Sequence, residues 1–157
     1  MAWRVLLLVV VVVAGCTSPT TPETVGFSRL SAGASSYSTS TGITERERTV
    51  IRDAGTWAAF WTRMHAKSGA EPPRPAIDFS TEMIVAVAMG ARATGGFHIT
   101  MPSAKVEAGV LVVEVVSQSP GASCFTTQAT TQPVDLARAR PFADVRFEER
   151  DVVFNCG

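Results

Sequence analysis

The chain has 157 residues, room for one domain of ordinary size and not for two. Its 14 Lys and Arg balance 14 Asp and Glu, so the net charge is zero. That balance argues against nucleic acid, whose phosphates call for a basic surplus, and against a polybasic membrane patch. With 2 His and 3 Cys there is little material for a metal site, and neither a metal nor a cofactor is expected.

Met1-Ala2-Trp3-Arg4 carries one positive charge, and Val5 to Val13 is an unbroken run of Val and Leu. The run is much shorter than the roughly 20 residues that span a bilayer. A charged start, a short apolar stretch and small residues at its end read as a secretory signal. The end, Val13-Ala14-Gly15-Cys16, resembles a bacterial lipobox. The resemblance implies a signal peptide over 1–15, cleavage before Cys16 and acylation of its sulfur by fatty acids such as palmitate. Two or more acyl chains give stable anchoring where one does not. Thr17 to Thr24 has no apolar residue larger than Pro, so it cannot bury enough surface to offset ordering. Residues 16–24 read as a Ser/Thr/Pro tether, and 25–157 as a single domain held at a membrane. The expected location is the cell envelope, facing the periplasm or the cell exterior.

Within the domain, Val25–Leu30 reads as a short first strand and Ser31–Gly42 as a long polar loop. Arg48–Arg52 is β-prone. Asp53 is a good helix N-cap, and Trp57, Phe60, Trp61 and Met64 follow at i, i+3, i+4 and i+7, one helical face. That stripe reads as core, with His65 at the helix end and the helix stopping near Lys67, before Gly69 and the Pro72-Pro73 and Pro75 cluster. Met83–Met89 is apolar throughout, the pattern of a strand buried on both faces. Phe97–Met101 alternates, with Phe97, Ile99 and Met101 on one face and His98 exposed on the other. Val106–Val110 reads as a hairpin turn and Val110–Val116 as a strand broken by Ser119-Pro120-Gly121. Phe125–Ala139 holds a further strand or two, Asp144–Glu148 another, and Asp151–Asn155 a last edge. After residue 67 strands follow one another without helices, so a doubly wound parallel sheet is not expected. The fold class is α+β: a mainly antiparallel, twisted or rolled sheet with one amphipathic helix packed on it.

With Cys16 acylated, Cys124 and Cys156 remain, and outside the cytoplasm two thiols make one disulfide. It would close a loop over 125–155. No HExxH, paired CxxC, Walker loop or GxSxG occurs, and no catalytic residue is assigned. Asp78 and Glu82 lie close in sequence, but paired-carboxylate chemistry needs a cleft. Thr94-Gly95-Gly96 could cradle an anion through its amides, although a tight turn needing positive φ explains two glycines as well.

Several segments together resemble one family. They are Thr49–Asp53, Trp57 with Phe60-Trp61, Ile77–Met83, Gly90 with Thr94-Gly95-Gly96-Phe97, and Thr131-Gln132-Pro133. Their order and spacing are similar to the C-terminal domain of the protease complex subunit PrcB family, over roughly Val25 to Glu149. The chain departs from that pattern at Phe97, where Tyr is usual, and at Val134, where an aromatic is common. The resemblance implies a secreted, often lipid-anchored, non-catalytic domain that assists an exported protease or another envelope protein. Arg92, Thr94, Gly95, Gly96 and Phe97 form the candidate partner-binding loop. The alternative is a stand-alone envelope protein holding a peptide or small molecule in a pocket under the Trp57/Trp61 helix.

Overall fold

A computed structural model describes residues 25–30, 41–67 and 69–157. The segments read as a signal peptide and a tether, with Cys16 between them, lie outside the described residues, as does most of the Ser31–Gly42 segment. The elements run β1 (Ser28–Arg29), β2 (Arg46–Ile51), α1 (Ala54–Met64), β3 (Met83–Met89), β4 (His98–Thr100), β5 (Ala104–Glu107), β6 (Val110–Pro120), β7 (Val134–Ala139) and β8 (Val145–Phe154). They form two sheets. The first is antiparallel in the order β1-β7-β3-β2. The second is centred on β6, with β4 and β5 antiparallel along one side and β8 parallel along the other. The α+β expectation holds.

β3 explains the layering. Every residue of it is buried. Met83, Val85, Val87 and Met89 face the second sheet, where they meet Ile99, Met101, Leu111, Val113 and Val115. Ile84, Ala86 and Ala88 face the other way, under α1. The two alanines leave room for large rings, and Trp57 and Trp61 occupy it at 2% and 0% exposure. The stack is therefore helix, sheet, sheet, and β3 is covered twice.

The helix begins as expected. The Asp53 carboxylate accepts the Thr56 amide at 2.8 Å, which satisfies a free first-turn donor and holds the Asp53 carboxyl below its usual range. It ends at Met64, earlier than Lys67, because Ala66 N–H turns back to the Arg63 carbonyl in a tightened last turn. His65, as expected, sits at the helix end. Its ring packs 4.3 Å from that of Trp61, and its Nδ1 lies 2.9 Å from the Trp61 carbonyl. The proline cluster closes over the helix: the Trp57 and Trp61 indole N–H groups donate to the carbonyls of Pro75 and Pro72. The apolar face of the helix, Trp57, Phe60, Trp61 and Met64, is buried against the first sheet rather than open to solvent.

Three readings are corrected and one, the strand or two of Phe125–Ala139, is narrowed. The first strand shrinks to Ser28–Arg29, in register with Arg138 and Ala137 of β7, and Leu30 N–H adds one more bond to the Leu136 carbonyl. Phe125–Ala139 contributes one strand, β7; before it, only Thr131 bridges, to Arg92. Asp144–Glu148 and Asp151–Asn155 are one continuous strand, because β8 pairs with β6 over ten positions and its central charges find partners. His98 is half-buried rather than exposed, its ring 6.4 Å from that of Phe154. β5 was hidden by its alternation of small and charged residues. The turn it forms with β6 is the expected hairpin, with Ala108 and Gly109 both at positive φ (48° and 82°) as a tight two-residue turn requires.

Two polar links join the sheets. Asp135 on β7 is 4% exposed; it accepts the Met101 amide at 2.7 Å and pairs with Arg29 at 2.9 Å. At the other edge Arg48 of β2 forms a two-pronged pair with Glu149 of β8 at 2.5 and 2.9 Å. The Arg48 guanidinium holds the Glu149 carboxyl below its usual range. A depressed folded-state value contributes stability above the unfolded value, and the contribution is lost as pH falls through the folded one.

Candidate partner-binding face

The connection from β3 to β4 crosses from one sheet to the other and carries the candidate loop. Arg92 exchanges both backbone hydrogen bonds with Thr131, at 2.8 and 2.9 Å. The Thr131 hydroxyl donates to the Thr94 carbonyl at 2.9 Å. Gly95 N–H donates to the Thr127 carbonyl at 2.9 Å. The loop is thus pinned along its length by residues 127–131.

The glycines are structural. Gly96 has φ +87°, and a β-carbon there would sit 3.2 Å from the Pro120 ring and 3.3 Å from Thr126. At Gly95 a β-carbon would run into the Thr127 hydroxyl. Both positions are closed to a side chain by backbone conformation or by close approach. Gly96→Val is expected to lower stability by at least about 1–2 kcal/mol, the cost of a β-carbon in left-handed backbone, and Gly95→Val by overpacking. Ala93→Val, at an exposed position, should change little. Thermal unfolding of the three variants checks this; a Gly96→Val midpoint equal to that of Ala93→Val would remove the structural role.

Of the other loop residues, Phe97 is half-buried against the inter-sheet core. The Arg92 guanidinium lies over the Phe97 ring, 5.7 Å from its centroid, and donates one Nη2 bond to the Met89 carbonyl at 2.9 Å. Asp78 and Glu82 are not a working pair. Asp78 ties up the turn before β3, accepting from the Ser80 amide and hydroxyl, whereas Glu82 faces Arg138 at 3.5 Å. Among the described residues no three His, Cys, Asp or Glu side chains converge as metal ligands.

Beside the glycine turn stands a residue that sequence reasoning assigned to a strand. Phe125 is fully exposed. Its backbone is held on both sides: Cys124 is bonded to Cys156 in the expected disulfide, and Thr126 and Thr127 pack on Gly96 and Gly95. Val153, 66% exposed and next to last in β8, is the other large apolar side chain left in solvent among the described residues. Sequence offered one signal for Phe125, its place directly after a bridged Cys and before two Thr. An exposed aromatic ring on a pinned segment is a typical anchor for a partner, because little backbone freedom remains to be lost on binding.

A family model described as PrcB C-terminal matches residues 83–139. Over those residues the chain is similar to the PrcB C-terminal domain. The match opens on the first residue of β3 and closes on the last residue of β7, so it takes in the central strands of both sheets and leaves out β1, β2 and β8. It also contains Gly90, the loop from Arg92 to Phe97, Phe125 and Thr131-Gln132-Pro133. It is narrower than the resemblance drawn from sequence: Thr49–Asp53, the α1 aromatics and Ile77–Glu82 fall before it. No curated protein and no solved structure matches the chain.

Proposed function

We propose that this protein is a membrane-anchored, non-catalytic accessory domain that binds an exported protease or another envelope protein. The PrcB C-terminal match over residues 83–139 carries the reading. Cys16 holds the anchor, the segment 17–24 spaces the domain from the membrane, and the partner docks on the end of the molecule that presents Phe125 beside the Arg92–Phe97 loop. An exposed aromatic on a constrained backbone fits an interface anchor, and a surface position of this kind adds little to folding.

The test is capture of the full-length protein with its partner after crosslinking in intact membranes. Phe125→Asp should lose the partner while its unfolding free energy stays within about 0.5 kcal/mol of wild type. Retention of the partner by Phe125→Asp moves the interface elsewhere, and recovery of no exported protein across several detergents overturns the accessory role. The anchor is checked separately. Cys16→Ser should abolish metabolic labelling with a fatty acid and release the protein from membranes, and unchanged labelling would refute the lipobox.

A further inference from the structure

The apolar filling between the two sheets stops short of one end. Along the inward faces, β2 runs Val50, Arg48, Arg46; β6 runs Val115, Ser117, Ser119; and β8 runs Phe147, Glu149, Asp151. All three strands change from apolar to polar toward the same end of the sandwich, β8 one inward position before β6, since Glu149 pairs with Val115 and Asp151 with Ser117. There they enclose a cleft of about 290 Å³ lined by Arg46, Arg48, Arg92, Ser117, Ser119 and Asp151. Cross-strand neighbours inside a sandwich are ordinarily apolar, so a polar end shared by three strands is a built feature.

The three guanidinium groups differ in what they have left to give. Arg48 is fully engaged, by Glu149 and by the carbonyls of Glu47 and Ala88 at 2.7 and 2.8 Å. Arg46 reaches Glu149 at 3.1 Å with a side chain 56% exposed. Arg92 donates through Nη2 to Met89, but its Nε is buried and has no hydrogen-bond partner. A buried charged donor left without an acceptor is costly, and such groups in native proteins call for an explanation. The charge count supplies one. Arg46, Arg48 and Arg92 stand against Glu149 and Asp151, which leaves a single positive charge.

The geometry points to a carboxylate-binding site in this cleft. Arg92 and Arg46 hold the anion, with their planar forks matched to two carboxylate oxygens. The Ser117 and Ser119 hydroxyls add neutral donors. Asp151 sets the selectivity: one monoanion cancels the residual charge, whereas a phosphate dianion overshoots it and lies against a carboxylate. The volume is at the low end for small-molecule sites, enough for an acid group and a few further atoms. The carboxylate comes either from a free small acid or from the C-terminus of a docked polypeptide. The second source rests on the accessory-domain reading; the site itself does not.

The experiment uses the full chain in detergent, its arginine side chains labelled with nitrogen-15, titrated with sodium acetate. The Arg92 Nε–H resonance should move saturably. Arg92→Lys keeps the charge and loses the fork, and should weaken binding at least roughly tenfold with the backbone spectrum and melting midpoint retained. Ser119→Ala should weaken it severalfold. Asp151→Asn should tighten acetate and admit inorganic phosphate, which the wild type rejects. A short peptide with a free C-terminus that binds more tightly than acetate, while its C-terminal amide fails, identifies a polypeptide carboxylate as the source. Equal binding of peptide and acetate identifies a free acid. Absence of a saturable shift with acetate, or acetate binding unchanged by Arg92→Lys, overturns the site. Partner capture is read on a different surface residue, Phe125, so it can stand or fall independently.

Discussion

Trp61→Ala is expected to destabilise the domain by about 3–5 kcal/mol, the range for deleting a large buried aromatic. The indole is wholly buried between α1 and the first sheet, packed against Trp57 with ring centroids 5.2 Å apart and against His65. Its small neighbours Ala86 and Ala88 sit on a strand fixed on both sides by β2 and β7, so they cannot collapse into the space left behind. The cavity term should therefore be nearly full. Trp61→Phe keeps most of the packing and loses the hydrogen bond to Pro72, and should cost distinctly less. Chemical denaturation of both variants measures the difference. A change near zero for Trp61→Ala would mean that the ring does not support the sheet.

Asp135→Ala should cost about 2–4 kcal/mol, through a different mechanism. The carboxylate accepts from the Met101 and Leu136 amides at 2.7 and 3.1 Å and pairs with Arg29. The alanine variant leaves the Met101 N–H without its acceptor inside the inter-sheet space. Arg29 is 45% exposed and can return to water, so the loss of the ion pair itself is minor. Arg29→Ala should accordingly cost less than about 1 kcal/mol. Asp135→Asn, which keeps a carbonyl acceptor, should fall between the two. Equal unfolding midpoints for Asp135→Ala and Arg29→Ala would show that the carboxylate does not clamp the sheets together.

These two residues also mark the boundary of what can be read without coordinates. Trp61 was legible as core because a helix with an N-cap and one apolar face must bury that face, whatever covers it. β3 was legible as doubly covered because no residue in it tolerates water. The glycine turn was legible because adjacent glycines between strands answer a local backbone demand, met here at Gly96 by a positive φ. The disulfide followed from pairing the two cysteines left after Cys16. In each case the determining physics is local, or depends only on how much apolar surface must be hidden.

Asp135 carried no such signal, since an aspartate in a strand reads as a surface residue until the amide it accepts is known to come from another sheet. Nor did the parallel pairing of β8 with β6. Its central charges look like a break, and only the partners of Glu149 on β2 reveal why the strand continues through them. The candidate site divides in the same way. Arg92 and the glycines were visible as a loop, but the exposure of Phe125 depends on how a disulfide and the glycine turn hold its backbone. Likewise the arginine-lined cleft exists because three strands far apart in sequence change from apolar to polar toward the same end of the sandwich. Local conformation and the need for burial are written along the chain, residue by residue. Which polar groups meet across a gap is decided by strand order and register, and those are properties of the assembled sheets.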